Sequence, residues 1–172
     1  MKKVFYNWQQ VQGACIDIVR QMQQDDWTPD YVVGITRGGA IPAVLISQFL
    51  DVPMKPLMVN LRDNPDTVSD LGMADDAYGY NADAVGDQVC KNILVVDDIN
   101  DTGATIAWIK QDWQSGCLPN DARWNHVWGQ NVRFATLTNN LASNEEVDYS
   151  VWEVNKAEED CWLVYPWEDY WL

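Results

Sequence analysis

The chain has 172 residues, enough for one domain with a real core, and its 47% hydrophobic content is ordinary for a globular protein. Its 26 acidic against 11 basic residues leave a net charge of −15, a surface that repels nucleic-acid phosphates and argues against a nucleic-acid partner. No apolar run approaches the ~20 residues needed to cross a bilayer, and the basic start Met1 to Trp8 lacks an apolar stretch long enough for a secretory signal, so no membrane role and a cytoplasmic location are expected (host cytoplasm if the source is viral).

Trp8, Val11, Cys15, Ile18, Val19 and Met22 recur at helical spacing and predict an amphipathic helix near 8–24, which Pro29 and Asp30 break. Tyr31 to Ile35 reads as a buried strand, and Thr36-Arg37-Gly38-Gly39 as a turn. Pro42 suits the first turn of the next helix, about 41–50; Pro53 ends that segment, and Leu57 to Leu61 is another strand. Residues 62–91 lack strong periodicity and carry seven aspartates and three glycines, with Arg62 and Lys91 the only basic groups, so they read as a mobile loop or irregular flap. Ile93 to Val96 is a short apolar run fit for a buried parallel strand, and Ile106 to Trp113 is helix-like. Gly116, Pro119 and Asn120 mark a turn, while Val132 to Leu137 and Tyr149 to Val154 are further strands. The tail, Cys161 to Leu172, is too aromatic and apolar for a free linker. Strands alternating with helices, with no repeat and no boundary, predict a parallel α/β sheet in a single domain, 1–172. The four cysteines are far apart and, with His126 alone, make a poor zinc site, so reduced and mostly buried thiols are expected. Most of the ten tryptophans should be core or subunit-contact residues.

Chemistry concentrates where strands run out. Asp97 and Asp98 follow Val96, then Asp101-Thr102-Gly103-Ala104-Thr105 leads into a helix. In open α/β sheets ligands sit at such strand ends. Hydroxyls and free N–H groups at a helix start suit a phosphate, and carboxylates suit sugar hydroxyls or a magnesium ion. A lone Asp-Asp pair is more often a strand end whose acids cap a helix or sit in water, so the attached loop carries the weight. Ile35 to Ala40 is a second strand end, where glycines allow close approach of an anion and Arg37 offers a forked cation.

The run Asn92 to Thr105 resembles the phosphoribosyl pyrophosphate motif of the type I phosphoribosyltransferases. Thr36-Arg37-Gly38-Gly39 is similar to that family's pyrophosphate loop. Asp160 to Glu168 resembles the C-terminal Trp-x-x-x-Pro-Trp stretch of the bacterial xanthine-guanine enzymes and their archaeal and phage relatives. The three occur in the family's order, and the resemblance runs from about residue 5 to 169. It implies a Rossmann-like parallel sheet flanked by helices, a flexible flap about 62–91, and a small hood from the chain termini whose C-terminal, base-binding part is about 139–172.

The resemblance also implies an activity: transfer of the 5-phosphoribosyl group from phosphoribosyl pyrophosphate to a purine base such as guanine, xanthine or hypoxanthine. Pyrophosphate would leave, Mg2+ would be the cofactor, and the protein would form a dimer or tetramer. Asp101, Thr102, Gly103, Ala104 and Thr105 would hold the 5′-phosphate; Asp97 and Asp98 the ribose and, through water, the metal; Arg37 and Gly38 the pyrophosphate. Trp162 would cover the purine face, with Leu163 and Asn140 beside it. Asp101 would be catalytic by exchanging a proton with the base, and Asp97 and Asp98 by stabilising developing positive charge. One departure leaves the base identity open. Purine-specific relatives carry a lysine on the strand after the motif helix, whereas Phe134 to Asn140 has none and offers Asn139 or Asn140 instead. Two other readings remain: a haloacid-dehalogenase-like phosphatase, and a non-catalytic regulator of this fold that senses phosphoribosyl pyrophosphate or a nucleotide.

Overall fold

The computed structural model describes residues 1–62, 66–80 and 89–168. The first helix, α1 (Trp8–Gln24), begins at a reciprocal cap: Asn7 Oδ1 accepts from the Gln10 N–H, and Gln10 Oε1 from the Asn7 N–H, both at 2.8 Å. Its inward stripe of Val11, Cys15, Ile18, Val19 and Met22 is buried, as the spacing predicts.

The central sheet is built on β2 (Tyr31–Thr36), β3 (Met54–Asn60), β5 (Ile93–Asn100), β6 (Val132–Asn140) and β7 (Tyr149–Val154), with the short β4 (Asp66–Thr67) at one edge. The strand order is β4-β3-β2-β5-β6-β7, and every pairing except β3 with β4 is parallel. A parallel sheet must be covered on both faces, which is why β2 and the first half of β5 are apolar without alternation. Helices α1 and α2 (Ala40–Leu50) cover one face, with Ile18, Met22 and Ile46 packed on Val32, Leu94 and Leu137. Helices α3 (Leu71–Tyr78) and α4 (Ala104–Gly116) cover the other, with Met73, Ile109 and Trp113 on Val33, Val95 and Phe134.

Helix α3 and the terminal strands are among the elements that lie outside the sequence reading. Helix α3 occupies part of the segment expected to be a loop. Asp70 caps it by accepting from the Met73 N–H at 3.0 Å, Gly79 ends it at φ +82°, and Met73, Ala74, Ala77 and Tyr78 are buried. Eight residues give little over two turns, too few for periodicity to stand out among aspartates. The remainder of that segment includes 63–65 and 81–88, which lie outside the described residues. At the chain's beginning, β1 (Lys2–Phe5) pairs in parallel with β8 (Cys161–Val164), so the hood expected from the termini is a two-stranded sheet. Stacked rings attach it to the core: Tyr6 lies 4.1 Å from Trp152 and 5.4 Å from Tyr165 between centroids, and Tyr165 lies 5.0 Å from Trp167. No helix among the described residues is long and apolar enough to cross a membrane.

Candidate active site

A cavity of about 1110 Å3 opens at the carboxyl ends of β2, β5 and β6 and is roofed by the hood. The loop Asp101 to Gly103 turns β5 into α4. Gly103 sits at φ +89°, where a Cβ would be strained and would also come within 2.8 Å of the Glu145 nitrogen. Thr102 Oγ1 accepts from the Ala104 N–H at 3.3 Å. The first turn of α4 therefore faces the cavity with N–H groups that have no partner within the helix, at the positive end of its dipole. That is a seat for an anion. The turn after β6 braces it: Asn144 N–H donates to the Thr102 carbonyl (3.1 Å), and Asn100 Nδ2 donates to Glu145 O (2.7 Å) and Asn139 Oδ1 (2.9 Å). Ser143 closes that network on Asn100 Oδ1 at 3.0 Å.

Asp97 and Asp98 are partly exposed on the cavity floor. Burial pushes both carboxyls above the usual carboxylate range, and the charge on Asp98 raises Asp97 further. Gly38 lies directly against Asp98, where an added Cβ would overlap the carboxylate; one on Gly39 would overlap the Val96 carbonyl. Arg37 is exposed on the same rim; its carbonyl accepts from the Ala40 N–H at 3.1 Å, while its guanidinium makes no ion pair or hydrogen bond among the described residues. Thr136, opposite Asp97 in register, is buried against the cavity, and its Oγ1 has no partner among the described residues.

Trp162 is 46% exposed while Cys161 and Leu163 beside it on β8 are buried, so the indole faces outward and lines the cavity. Leu163 lines it as well. The Tyr165 hydroxyl donates to the Asp98 carbonyl at 3.0 Å and lies 2.9 Å from Thr138 Oγ1, fixing the hood to the strand that carries the acids. Asn140 lies behind the wall. It is 6% exposed, its Nδ2 donates to Asp101 O (2.9 Å), and its Oδ1 accepts from Ala142 N (3.2 Å) and Lys156 N (3.0 Å). Its amide holds backbone in place. His126 is exposed, in a short 3-10 turn away from the cavity.

No local motif singles out Lys156. It stands in the turn between β7 and β8, lines the cavity, and donates to Asp101 Oδ2 at 3.1 Å; Arg62 reaches the same oxygen at 3.3 Å. Among the described residues, five carboxylates (Asp66, Asp97, Asp98, Asp101, Glu168) and three cations (Arg37, Arg62, Lys156) line the cavity. Among the described residues, no cluster of three or more His, Cys, Asp or Glu could hold a metal on protein ligands alone. Any ion would need further oxygens from a ligand or water.

The chain matches the family model of the phosphoribosyl transferase domain over residues 3–168. It is 23% identical over 185 residues to the hypoxanthine-guanine phosphoribosyltransferase of Schizosaccharomyces pombe, covering 96% of this chain and 89% of that one. It is 28% identical over 137 residues to the xanthine-guanine phosphoribosyltransferase of Desulfotalea psychrophila, covering 80% and 69%. Among solved structures, the purine phosphoribosyltransferase of Pyrococcus horikoshii matches with a TM-score of 0.67 and 25% identity over 100% of this chain and 97% of that one. The Helicobacter pylori xanthine-guanine-hypoxanthine enzyme also gives a TM-score of 0.67, at 17% identity over 97% and 94%, a likeness of fold.

Proposed function

Because this chain belongs to the phosphoribosyl transferase family, we propose that it transfers the 5-phosphoribosyl group of phosphoribosyl pyrophosphate to guanine, xanthine or hypoxanthine, releasing pyrophosphate. The observation that supports this most is one cavity shared by an anion seat at the start of α4, a half-buried acid pair, an arginine beside paired glycines, and an outward-facing indole.

A base nitrogen attacks carbon 1 of the ribose as the bond to pyrophosphate breaks, through an oxocarbenium-like state. Catalysis is then positioning and charge stabilisation. The loop Asp101 to Thr105 takes the 5′-phosphate on backbone N–H groups and the hydroxyls of Thr102 and Thr105. Asp97 and Asp98 accept from the ribose hydroxyls and stabilise the developing positive charge. Arg37 and the Gly38 backbone receive the leaving pyrophosphate. The base lies on Trp162 against Leu163, with Asp101 placed to exchange a proton at the base edge. Asp97 and Asp98 would hold Mg2+, chiefly through water, as suits an ion that keeps several waters and shares substrate oxygens. When bound, the ion offsets the charge of the leaving group. The excess of carboxylates over cations around the cavity fits that need.

The reading extends to a cytoplasmic protein that assembles as a dimer or tetramer. The uncharged helix α2, which leaves Val44 45% and Phe49 47% exposed, supports a subunit contact there. The deciding experiment measures pyrophosphate release from phosphoribosyl pyrophosphate and magnesium with guanine, xanthine, hypoxanthine, adenine, uracil and orotate. Turnover with the first three is expected. Tight binding of phosphoribosyl pyrophosphate without turnover of any base would make the chain a regulator of the same fold.

A further inference from the structure

We propose that Lys156 selects the base. Its ammonium donates to an exocyclic oxygen on the purine's six-membered ring, so the site takes oxopurines and rejects aminopurines at that position. This rests on the base-transfer reading above.

The argument starts from where the cavity's cations come from. Arg37 and Arg62 arrive from the segments after β2 and β3, on the side offered to pyrophosphate. Lys156 arrives from the turn that leads into β8, the strand of Trp162. Among the described residues it is the one cation lining the cavity from the hood's side. Trp162, Asp101 and Lys156 line the same cavity, so in this proposal the base lies on the Trp162 indole with its ring edge toward the Asp101–Lys156 pair.

The ammonium is also held in place. Its side chain is 22% exposed, and one of its three N–H groups is engaged by Asp101 Oδ2 at 3.1 Å. Its backbone N–H is fixed by Asn140 Oδ1 at 3.0 Å. Two N–H groups remain for a ligand, and an ammonium has no lone pair. An exocyclic oxygen meets those donors as an acceptor. An exocyclic amine meets them donor to donor, leaving both sides unsatisfied in a partly dry cavity. Asn140 is then a positioning residue. It occupies the strand position where a base-reading side chain was expected, and it holds in place the turn from which a different residue does the reading.

The test compares wild type with Lys156→Met and Lys156→Gln by calorimetry with inosine and adenosine monophosphates, and by initial rates with hypoxanthine and adenine. Wild type should favour the oxo ligand by at least about a hundredfold. Both variants should collapse that ratio toward one and raise the KM for hypoxanthine by roughly tenfold or more. Affinity for phosphoribosyl pyrophosphate measured without base should stay within about twofold. Loss of the Asp101 ion pair or loosening of the turn would weaken both nucleotides together, so an unchanged ratio, with or without a uniform loss, overturns the assignment. Wild type that turns over no base but discriminates the nucleotides through Lys156 sinks the transfer reading and keeps this one. Wild type that binds neither nucleotide sinks both.

Discussion

Asp97 is placed at a cost to the fold. Its carboxyl titrates above the ordinary range because burial and the charge on Asp98 both oppose its ionisation. An acid whose folded pKa is raised keeps its proton where the unfolded chain, titrating near ~3.9, has lost it. Stability therefore falls as pH rises from that ordinary value through the raised one, and the penalty stays in full above it. Asp97→Asn removes the charge and keeps the shape. Its melting temperature should exceed wild type's by roughly 2–4 °C at pH 8 in chelator, the shift that ~1 kcal/mol gives at this size. The gap should close as pH approaches ~4, and transfer activity should be lost. Thermal melts from pH 4 to 8 check the first part; a variant less stable than wild type at pH 8 refutes it. Gly38 makes the complementary point. Since a Cβ there meets the Asp98 carboxylate, Gly38→Ala must displace either the loop or the acid. A shift of about 1 Å in a reacting group costs on the order of a hundredfold in rate. kcat/KM should fall by about that factor while the melting temperature changes little.

At the scale of elements, the anion seat depends on more than α4. Asn100 at the end of β5, Asn139 at the end of β6 and Ser143 in the following turn form one hydrogen-bonded latch behind the loop. Asn100→Ala unlatches it, takes away the acceptor of the Ser143 hydroxyl and removes the side-chain donor to Glu145 O. The KM for phosphoribosyl pyrophosphate should rise about tenfold with the KM for the base unchanged, which steady-state kinetics with each substrate varied in turn will separate. Elements legible in the sequence are those whose cause is local. The stripe and ends of α1, the unbroken apolar runs of β2 and β5, and the acids and loop after β5 all follow from neighbours within a few positions. Helix α3 was hidden because its apolar face is brief and interrupted by Asp75 and Asp76, whose roles are tertiary: Asp76 accepts from the Tyr31 hydroxyl at 2.9 Å. The pairing of β1 with β8 joins the two ends of the chain, and neither segment alternates clearly enough to announce a strand. Lys156 was illegible for the same reason. Its meaning comes from Asp101, brought to it by a crossover between strands rather than by sequence.

The whole molecule sets a field against its proposed substrate. With a net charge of −15, the protein repels phosphoribosyl pyrophosphate at long range even though Arg37 and Arg62 welcome phosphates inside the cavity. These contributions have different reach. At ~0.01 M salt the Debye length is about 30 Å and the approaching substrate senses the global charge; at ~0.15 M it is about 8 Å and the cavity's own cations dominate the last steps. The kcat/KM for phosphoribosyl pyrophosphate should therefore rise as potassium chloride is increased from ~0.01 to ~0.15 M, opposite to the usual loss of charge-steered encounter with salt. Free magnesium must be held constant, because the ion changes the substrate's charge. The kcat/KM for the uncharged base should stay flat over the same range, which separates encounter electrostatics from an effect of salt on the fold. If both rise together, salt is acting on the protein; if the first falls, the cavity's local cations govern capture at every distance that matters.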